Sequence, residues 1–547
     1  MKTTPFSQFF KKNYRLFLWF LVVLPILLRL NYMVFYVYSD KTNQIKKGED
    51  LVLGMHTVFP PFAFNGHPDS EDSFPTQDGE YASGFDSLLA NKIAEKIGKK
   101  LIIKHYGYPA ILDSIPNEST DIIMGGMNAT KERLKTMEAV EYYSPAVGVL
   151  IRKDDPRFKD LKGDTVSKKD FQNIALKAAR DNNPIKYSTI THSTFDLPNE
   201  TTRTLQEWRL LGGGLARENS TESSFLVKNK SADICLFDYP PIKLLSDNDQ
   251  SFKAFKLEGF TIPPVALFLK KDRNDGLKEK LIQAVQEINE KEKEDLLNKA
   301  FQDFVHIQSL RQQPQNTFVK MFKQLPFYRK AFIISVTLAL NGLFLGFFLS
   351  LLVLLMKLFA SHQKNSPKGV IYVKKALLMF IDGIDNALKA VPMIIQVLIV
   401  SKILTHQFDF FQKEQFLATF YTALLLLTIN TAFNLAAIMF RNIRFLDQGQ
   451  IEGAYALGMN NKQVFQHIIF EQTFQRTYPF IWDQLIINFK DTAVFGLIGV
   501  ANLVYQANKE IAITFDGITP LLLISLIYLF LVNVVYILNR KHHPKKA

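Results

Sequence analysis

The sequence predicts two fold classes in one chain: a soluble α/β domain followed by an all-α membrane domain. Three observations carry that reading. Mean hydropathy is only +0.01 although 47% of the 547 residues are hydrophobic, so polar and apolar regions are being averaged. Ala331–Met356 and Gln415–Phe440 each run 26 residues without a charge, and Thr519–Leu538 runs 20, whereas crossing a hydrocarbon core takes about 20. Between Lys41 and His306 no apolar run reaches that length; short apolar stretches alternate there with amphipathic ones, as in parallel α/β sheets.

Residues 1–40 read as a cytoplasmic N-terminus and an uncleaved membrane anchor. Leu16–Tyr38 is apolar except for Arg29 and follows Lys11, Lys12 and Arg15. A secretory signal has a shorter core and small residues at its cleavage site; Asn31–Tyr38 is a poor site of that kind.

Residues 45–306 form the α/β region. Leu51–Gly54, Asp121–Met124 and Val265–Leu269 are buried-strand candidates, Leu88–Ile97 is an amphipathic helix, and Gly276–Lys299 is a charged helical stretch. The polar stretch 307–330, with Gln312, Gln313, Pro314 and Gln315, reads as a linker. Residues 331–540 then hold about five spans. Besides the three uncharged runs, one passes through Ala387–Val400 and one from about Pro479 to Val504 contains Lys490 and Asp491. Charges inside a span are functional candidates, but adjacent residues diverge on a helix, so an interface role competes with a simple break in the span. Residues 541–547 are a basic tail.

With the N-terminus inside, one crossing places 41–330 outside, and five more place 357–375, 441–476 and the C-terminus inside. The first of these carries Lys357, Lys364, Lys368, Lys374 and Lys375, as positive-inside orientation requires. The net charge of +13 gathers in part beside the spans, and no basic-aromatic motif points to nucleic acid. The single Cys235 excludes an intramolecular disulfide framework and a cysteine-rich metal site. No Gly-x-x-x-x-Gly-Lys-Ser/Thr run exists, so the chain binds no ATP through a P-loop of its own, and no cofactor is expected. His105, His192, His542 and His543 are scattered, and no Ser/His/Asp or metal-ligand cluster points to an enzyme.

Between the second and third uncharged runs lies Gly449–Met459, followed by Asn460–Phe470. It reads as helix, break, helix: Gln448–Leu457 are helix formers with small Gly453, Ala454 and Ala456, Gly458 supplies the positive-φ stop, and Asn460 or Asn461 caps the next helix. This stretch resembles the EAA loop of ABC-transporter permeases through Glu452, Ala454, Ala456, Gly458 and Ile469. It departs from the family at Gly453 and at Phe470–Glu471, where Leu-Pro is usual. Ala390-Val-Pro392-Met-Ile-Ile-Gln396 and Lys490-Asp491-Thr492 resemble further permease elements, while Ile438 stands where the family's glutamate is expected before Met439-Phe440-Arg441.

Residues 45–306 are similar to the family-3 periplasmic-type solute-binding domain for polar amino acids. The matching pieces are Pro60-Pro61-Phe62, Gly84-Phe85-Asp86, Asp121 to Arg133, Tyr142-Tyr143-Ser144-Pro145 and Ala232 to Asp238; stretches 66–80 and 165–225 fit poorly. The two resemblances imply a two-lobed periplasmic-binding-protein-like (type II) domain fused to a type I ABC permease of the histidine/glutamine type. Such a chain is the binding and transmembrane subunit of an amino-acid importer, glutamine-like or basic in substrate. It sits in the inner membrane, associates with a separate ATPase through 447–471 (Glu452, Ala454, Ala456, Leu457, Gly458), and pairs as a homodimer. The rival is an amino-acid-sensing receptor or ligand-gated channel built on the same binding domain.

A free amino acid is a zwitterion, so a closed pocket has to match both charges. Arg133 is the candidate for the carboxylate, since a guanidinium makes two parallel bonds to it, and Asp238 is the candidate for the ammonium. The solute-binding resemblance assigns both the same roles. It also implies that Phe59 and Tyr108 sandwich the side chain, that Asn128, Thr130 and Gly126 line the site, and that His56 replaces an aspartate used by relatives that bind basic or amide side chains.

Overall fold

The computed structural model describes residues 25–34 and 49–540, apart from 78, 107–110, 113, 116–119, 192, 197, 212–214, 218, 312–316, 362–366 and 408–414. Residues 25–34 are helical; the rest of the expected anchor, the basic tail and Tyr108 lie outside the described residues. The chain divides into two compact units. One comprises Met1–Tyr36, Tyr328–Tyr505 and Ile524–Ala547, the other Val37–Phe327 and Gln506–Leu523.

The second unit has two lobes, each around one main sheet, with a small four-stranded antiparallel sheet in residues 58–83 besides. In the first, β1 (Asp50–Met55), β2 (Lys100–His105), β3 (Ile122–Met124), β4 (Met137–Tyr143) and β11 (Val265–Lys270) run in the order β2-β1-β3-β11-β4. In the second, β5 (Val147–Arg152), β6 (Thr165–Ser167), β7 (Tyr187–Ile190), β8 (Ala216–Arg217), β9 (Ile234–Asp238) and β10 (Phe252–Glu258) run in the order β6-β10-β5-β9-β7-β8. β1 is buried at all six positions, which is why its sequence reads as continuously apolar rather than alternating.

The sheets are mixed, not purely parallel. β1 pairs in parallel with β2 and β3, but β11 runs antiparallel to β3 and β4, and β5 antiparallel to β9 and β10. The cause is the chain's two passages between lobes, β4 to β5 and β10 to β11. A strand entering from the other lobe has no crossover helix to restore parallel direction. The expected charged stretch divides into Leu277–Gln286 and Glu290–Arg311, and helix continues into the expected linker, again at Thr317–Gln324. Gln and Arg are good helix formers, and buried Phe304 and Ile307 anchor the turns around residue 306. Residues 506–523 complete this unit: Ile513 packs with Phe64, Leu244, Phe304 and Ile307, and the Phe515 ring lies 5.4 Å from that of Phe304.

The other unit is helical. Three described helices are long and apolar enough to cross a membrane, or five if each of two bent pairs counts as one span. A Cβ on Gly346 of helix Arg329–Ser361 would stand 2.5 Å from Thr431 Cβ of helix Gln415–Arg444. Small residues of this kind let membrane helices approach backbone to backbone. The span expected through Ala387–Val400 is not straight. Helices Lys368–Ala390 and Met393–Gln407 meet at 112°, because Pro392 lacks the N–H to continue the ladder and drives Val391 into an extended conformation. Lys357 is not a loop charge either. It lies within Arg329–Ser361, buried and paired with Asp382 at 2.9 Å.

Candidate functional site

The carboxyl ends of β1, β2 and β3 lie level: Met55 is in register with both His105 and Met124. One sheet edge therefore carries His56, His105 and the Gly125–Gly126 pair. Gly125 has φ 154° and Gly126 φ 65°, which glycine adopts at no steric cost. A Cβ on Gly126 would sit 2.5 Å from Phe59 Cδ1, so the bare backbone lets the ring close down. The Gly126 N–H donates to Asp86 Oδ2, and the Tyr142 hydroxyl to Asp86 Oδ1, each at 2.7 Å. Burial pushes the Asp86 carboxyl up to about 7 against the pull of these donors.

Phe59 bridges the lobes, packing against both cores, with its ring 5.7 Å from Phe62 and 6.4 Å from Phe237. Asn128 is a second bridge. Its Nδ2 donates to the Pro263 carbonyl at 3.0 Å, and Thr194 of the second lobe donates to its Oδ1 at 3.1 Å. The exposed pair Lys131–Glu200 also joins the lobes. These contacts describe a closed cleft.

Asp238 ends β9, 4% exposed, and makes no capping bond to the helix Tyr239–Asn248 that follows. Burial pushes its carboxyl up to about 7, opposed by a hydrogen bond from Asn128 and by the Arg133 charge. Its buried Oδ1 has no hydrogen-bond partner among the described residues. Arg133 begins a single helical turn, Arg133–Thr136; its Nη1 donates to the Asn128 carbonyl at 2.6 Å, its guanidinium lies over the Phe268 ring at 5.9 Å, and its N–H donates to Thr130 Oγ1 at 3.4 Å. The structure thus gathers Asn128, Thr130, Arg133 and Asp238, with Gly126 and Phe59 beside them and the His56 backbone 3.7 Å from a Cβ built on Gly125. His56 is pushed down to about 3 by burial, then by His105 and Lys509. Sequence reasoning missed Thr194, Glu80 and Lys509. Thr194 and Glu80 lie in stretches that fit the solute-binding pattern poorly, and Lys509 is some 430 residues from Glu80.

In the helical unit, Asp447 caps helix Gln448–Ala456 by accepting from the Gly449 N–H, Gly458 turns the chain at φ 80°, and Asn460 with Gln463 forms a capping box. A π-helical turn, Phe465–Phe470, leads into Glu471–Asp491. Ala454 is buried, whereas Glu452, Ala456, Gly458 and Leu457 are exposed, Leu457 to 84%. Tyr455 beside it is 47% exposed, so this turn presents two neighbouring apolar side chains.

Residues 51–303 match the bacterial extracellular solute-binding proteins, family 3, and residues 368–547 match the binding-protein-dependent transport system inner membrane component. The arginine ABC transporter permease protein ArtQ of Haemophilus influenzae is 30% identical over 200 residues, 36% of this chain and 84% of that protein. The chain belongs to the binding-protein-dependent transport permeases. To its permease part it adds a family 3 solute-binding domain. This permease is also similar to the arginine transport system permease protein ArtQ of Bacillus subtilis, at 25% identity over 223 residues, 41% of this chain and 94% of that one. The arginine-binding extracellular protein ArtP of the same organism is 26% identical over 119 residues, 21% of this chain and 42% of that protein.

Proposed function

We propose that this permease is the binding and transmembrane subunit of an ABC importer for amino acids, with arginine-like side chains favoured. The observation that carries the reading is Asp238 Oδ1, buried without a partner beside Asn128 and within the field of Arg133. A carboxylate oxygen in that state is costly and suits an ammonium, while the neighbouring guanidinium suits a carboxylate. The permeases and the binding protein described above carry arginine in their names, which supports the substrate class.

ATP is hydrolysed by a separate subunit that docks on Gln448–Ala456 and the exposed Leu457. A second copy of the chain supplies the other half of the pathway, as two-fold symmetry makes simplest. Lysines 364, 368, 374 and 375 support a cytoplasmic position for the loop they flank and an extracytoplasmic binding domain. Ligand contacts to both lobes favour the closed cleft over the open one.

The test is calorimetric titration of the full-length protein in detergent micelles with L-arginine, L-lysine and L-glutamine. Saturable binding of at least one, lost in Arg133→Ala, is the expected result. Binding untouched by Arg133→Ala would refute the site; absence of binding to any amino acid would refute the substrate class.

A further inference from the structure

A lysine from the permease-matched region is buried inside the binding unit. Lys509, in helix Leu503–Thr514, is 1% exposed, and its Nζ ion-pairs with Glu80. Glu80 is fixed at the edge of the first sheet: its N–H donates to Thr76 Oγ1 at 3.1 Å, and Thr76 bridges to Ile103 of β2. The Glu80 carboxylate also lies 3.9 Å from His105 Nδ1, at the carboxyl end of β2. The helix is held in place by contacts with both lobes. Ile513 packs on Phe64 and Leu244, and a Cβ on Gly517 would stand 2.3 Å from the Phe225 ring.

Lys509 therefore ends at the same sheet edge as the amino-acid cleft, displaced along it. Gly125, Gly126 and Asn128 follow β3, while Glu80 and His105 adjoin β2, two strand spacings or about 10 Å away. That spacing is on the scale of a long side chain whose α-carbon lies among Asn128, Arg133 and Asp238. An ammonium on a flexible stem reaching Glu80 is chemically the tip of a basic amino acid. Burying it without the acid would be costly, so whatever displaces it from Glu80 has to bring a positive charge. His56, held neutral by its surroundings, brings none.

We propose that Lys509 is an internal ligand: its ammonium fills a side-chain subsite formed by Glu80, and a cationic amino acid binds by taking over that carboxylate as Lys509 withdraws. The proposal rests on the amino-acid reading above and adds an acid, a competitor and a substrate class. Neutral amino acids do not replace the charge and leave Lys509 seated. Occupancy by a basic substrate is thereby linked to release of a segment that precedes helix Thr519–Arg540 in sequence.

The experiment is titration of the full-length protein in micelles with L-arginine, L-lysine and L-glutamine, in wild type, Lys509→Met, Lys509→Arg and Glu80→Gln. Removing an internal competitor raises the fraction of competent sites, so Lys509→Met should tighten arginine and lysine roughly tenfold or more and leave glutamine unchanged. Lys509→Arg, which keeps the charge, should stay near wild type, and Glu80→Gln should erase any preference for basic over neutral ligands. Arginine binding unchanged or weakened in Lys509→Met, with the far-ultraviolet melting curve retained, would overturn the proposal and leave Lys509 a structural partner of Glu80. Should no protein of the set bind any amino acid, the amino-acid reading itself falls, and the internal ligand with it.

Discussion

The backbone N–H of Gly126 donates to the carboxylate of Asp86 across 2.7 Å, and the other oxygen of that carboxylate accepts from Tyr142 at the same distance. One buried acid thus fixes the glycine pair at the mouth of the cleft without occupying the cleft itself. Asp86→Ala strands two buried donors, each costing about 1–3 kcal/mol. A clear fall in the thermal midpoint of the binding unit is expected, and an unchanged midpoint would remove this role.

Asp86 and Asp238 are both raised to about 7 by burial, whereas an unfolded chain releases those protons near pH 4. Between these values the folded protein holds more protons, so stability rises as pH falls from 7 toward 4. Ligand binding runs the other way. An ammonium pairs with ionised Asp238, so amino-acid affinity should fall below pH 7, by at most about tenfold per unit, and Asp238→Asn should flatten that slope. Titrations from pH 5.5 to 8.5 would check this, and a flat wild-type profile would count against Asp238 as the ammonium partner.

Gly126→Ala combines a left-handed backbone with a Cβ 2.5 Å from Phe59 Cδ1. A loss of about 1–3 kcal/mol and weakened arginine binding are expected. Phe59→Leu in the same protein should recover the part due to the ring, leaving the backbone part. Calorimetry on the two single variants and the double variant separates them.

Lys131 and Glu200 join the lobes, but each side chain is 79% exposed. Lys131→Ala should shift ligand affinity by no more than about twofold. Asn128→Ala, which removes buried bonds to Pro263 and Thr194, should cost more than about tenfold by the same titration. Equal effects would mean that closure depends on surface charge rather than on Asn128.

Leu457→Arg places a charge on the exposed apolar tip after helix Gln448–Ala456. In a reconstituted complex with the proposed ATPase partner it should abolish amino-acid-stimulated ATP hydrolysis while leaving arginine affinity intact. Gly458→Ala, at φ 80°, carries a penalty of about 1 kcal/mol and should reduce the stimulation in part. Loss of ligand binding in either variant would contradict a role confined to coupling.

Much of this architecture was legible because local chemistry and fold agree. The apolar run of β1, the glycines after β3 and the Gly458–Asn460 break each carry a signal within a few residues. What escaped notice was non-local. Pro392 sits in an apolar run that satisfies hydropathy, yet its missing N–H bends the helix by 112°. The antiparallel placing of β11 depends on the chain's return from the second lobe, about 120 residues after leaving the first. Lys509 carries no local signal, and Glu80 lies in a stretch with no pattern of its own; only the fold pairs them.

The solute-binding region, 51–303, and the permease region, 368–547, belong to one polypeptide. Because the two regions are one polypeptide, neither is made without the other, and they cannot part on dilution. Their ratio is therefore fixed by the gene at one to one. Uptake should then saturate with substrate alone, and adding soluble receptor should not raise it.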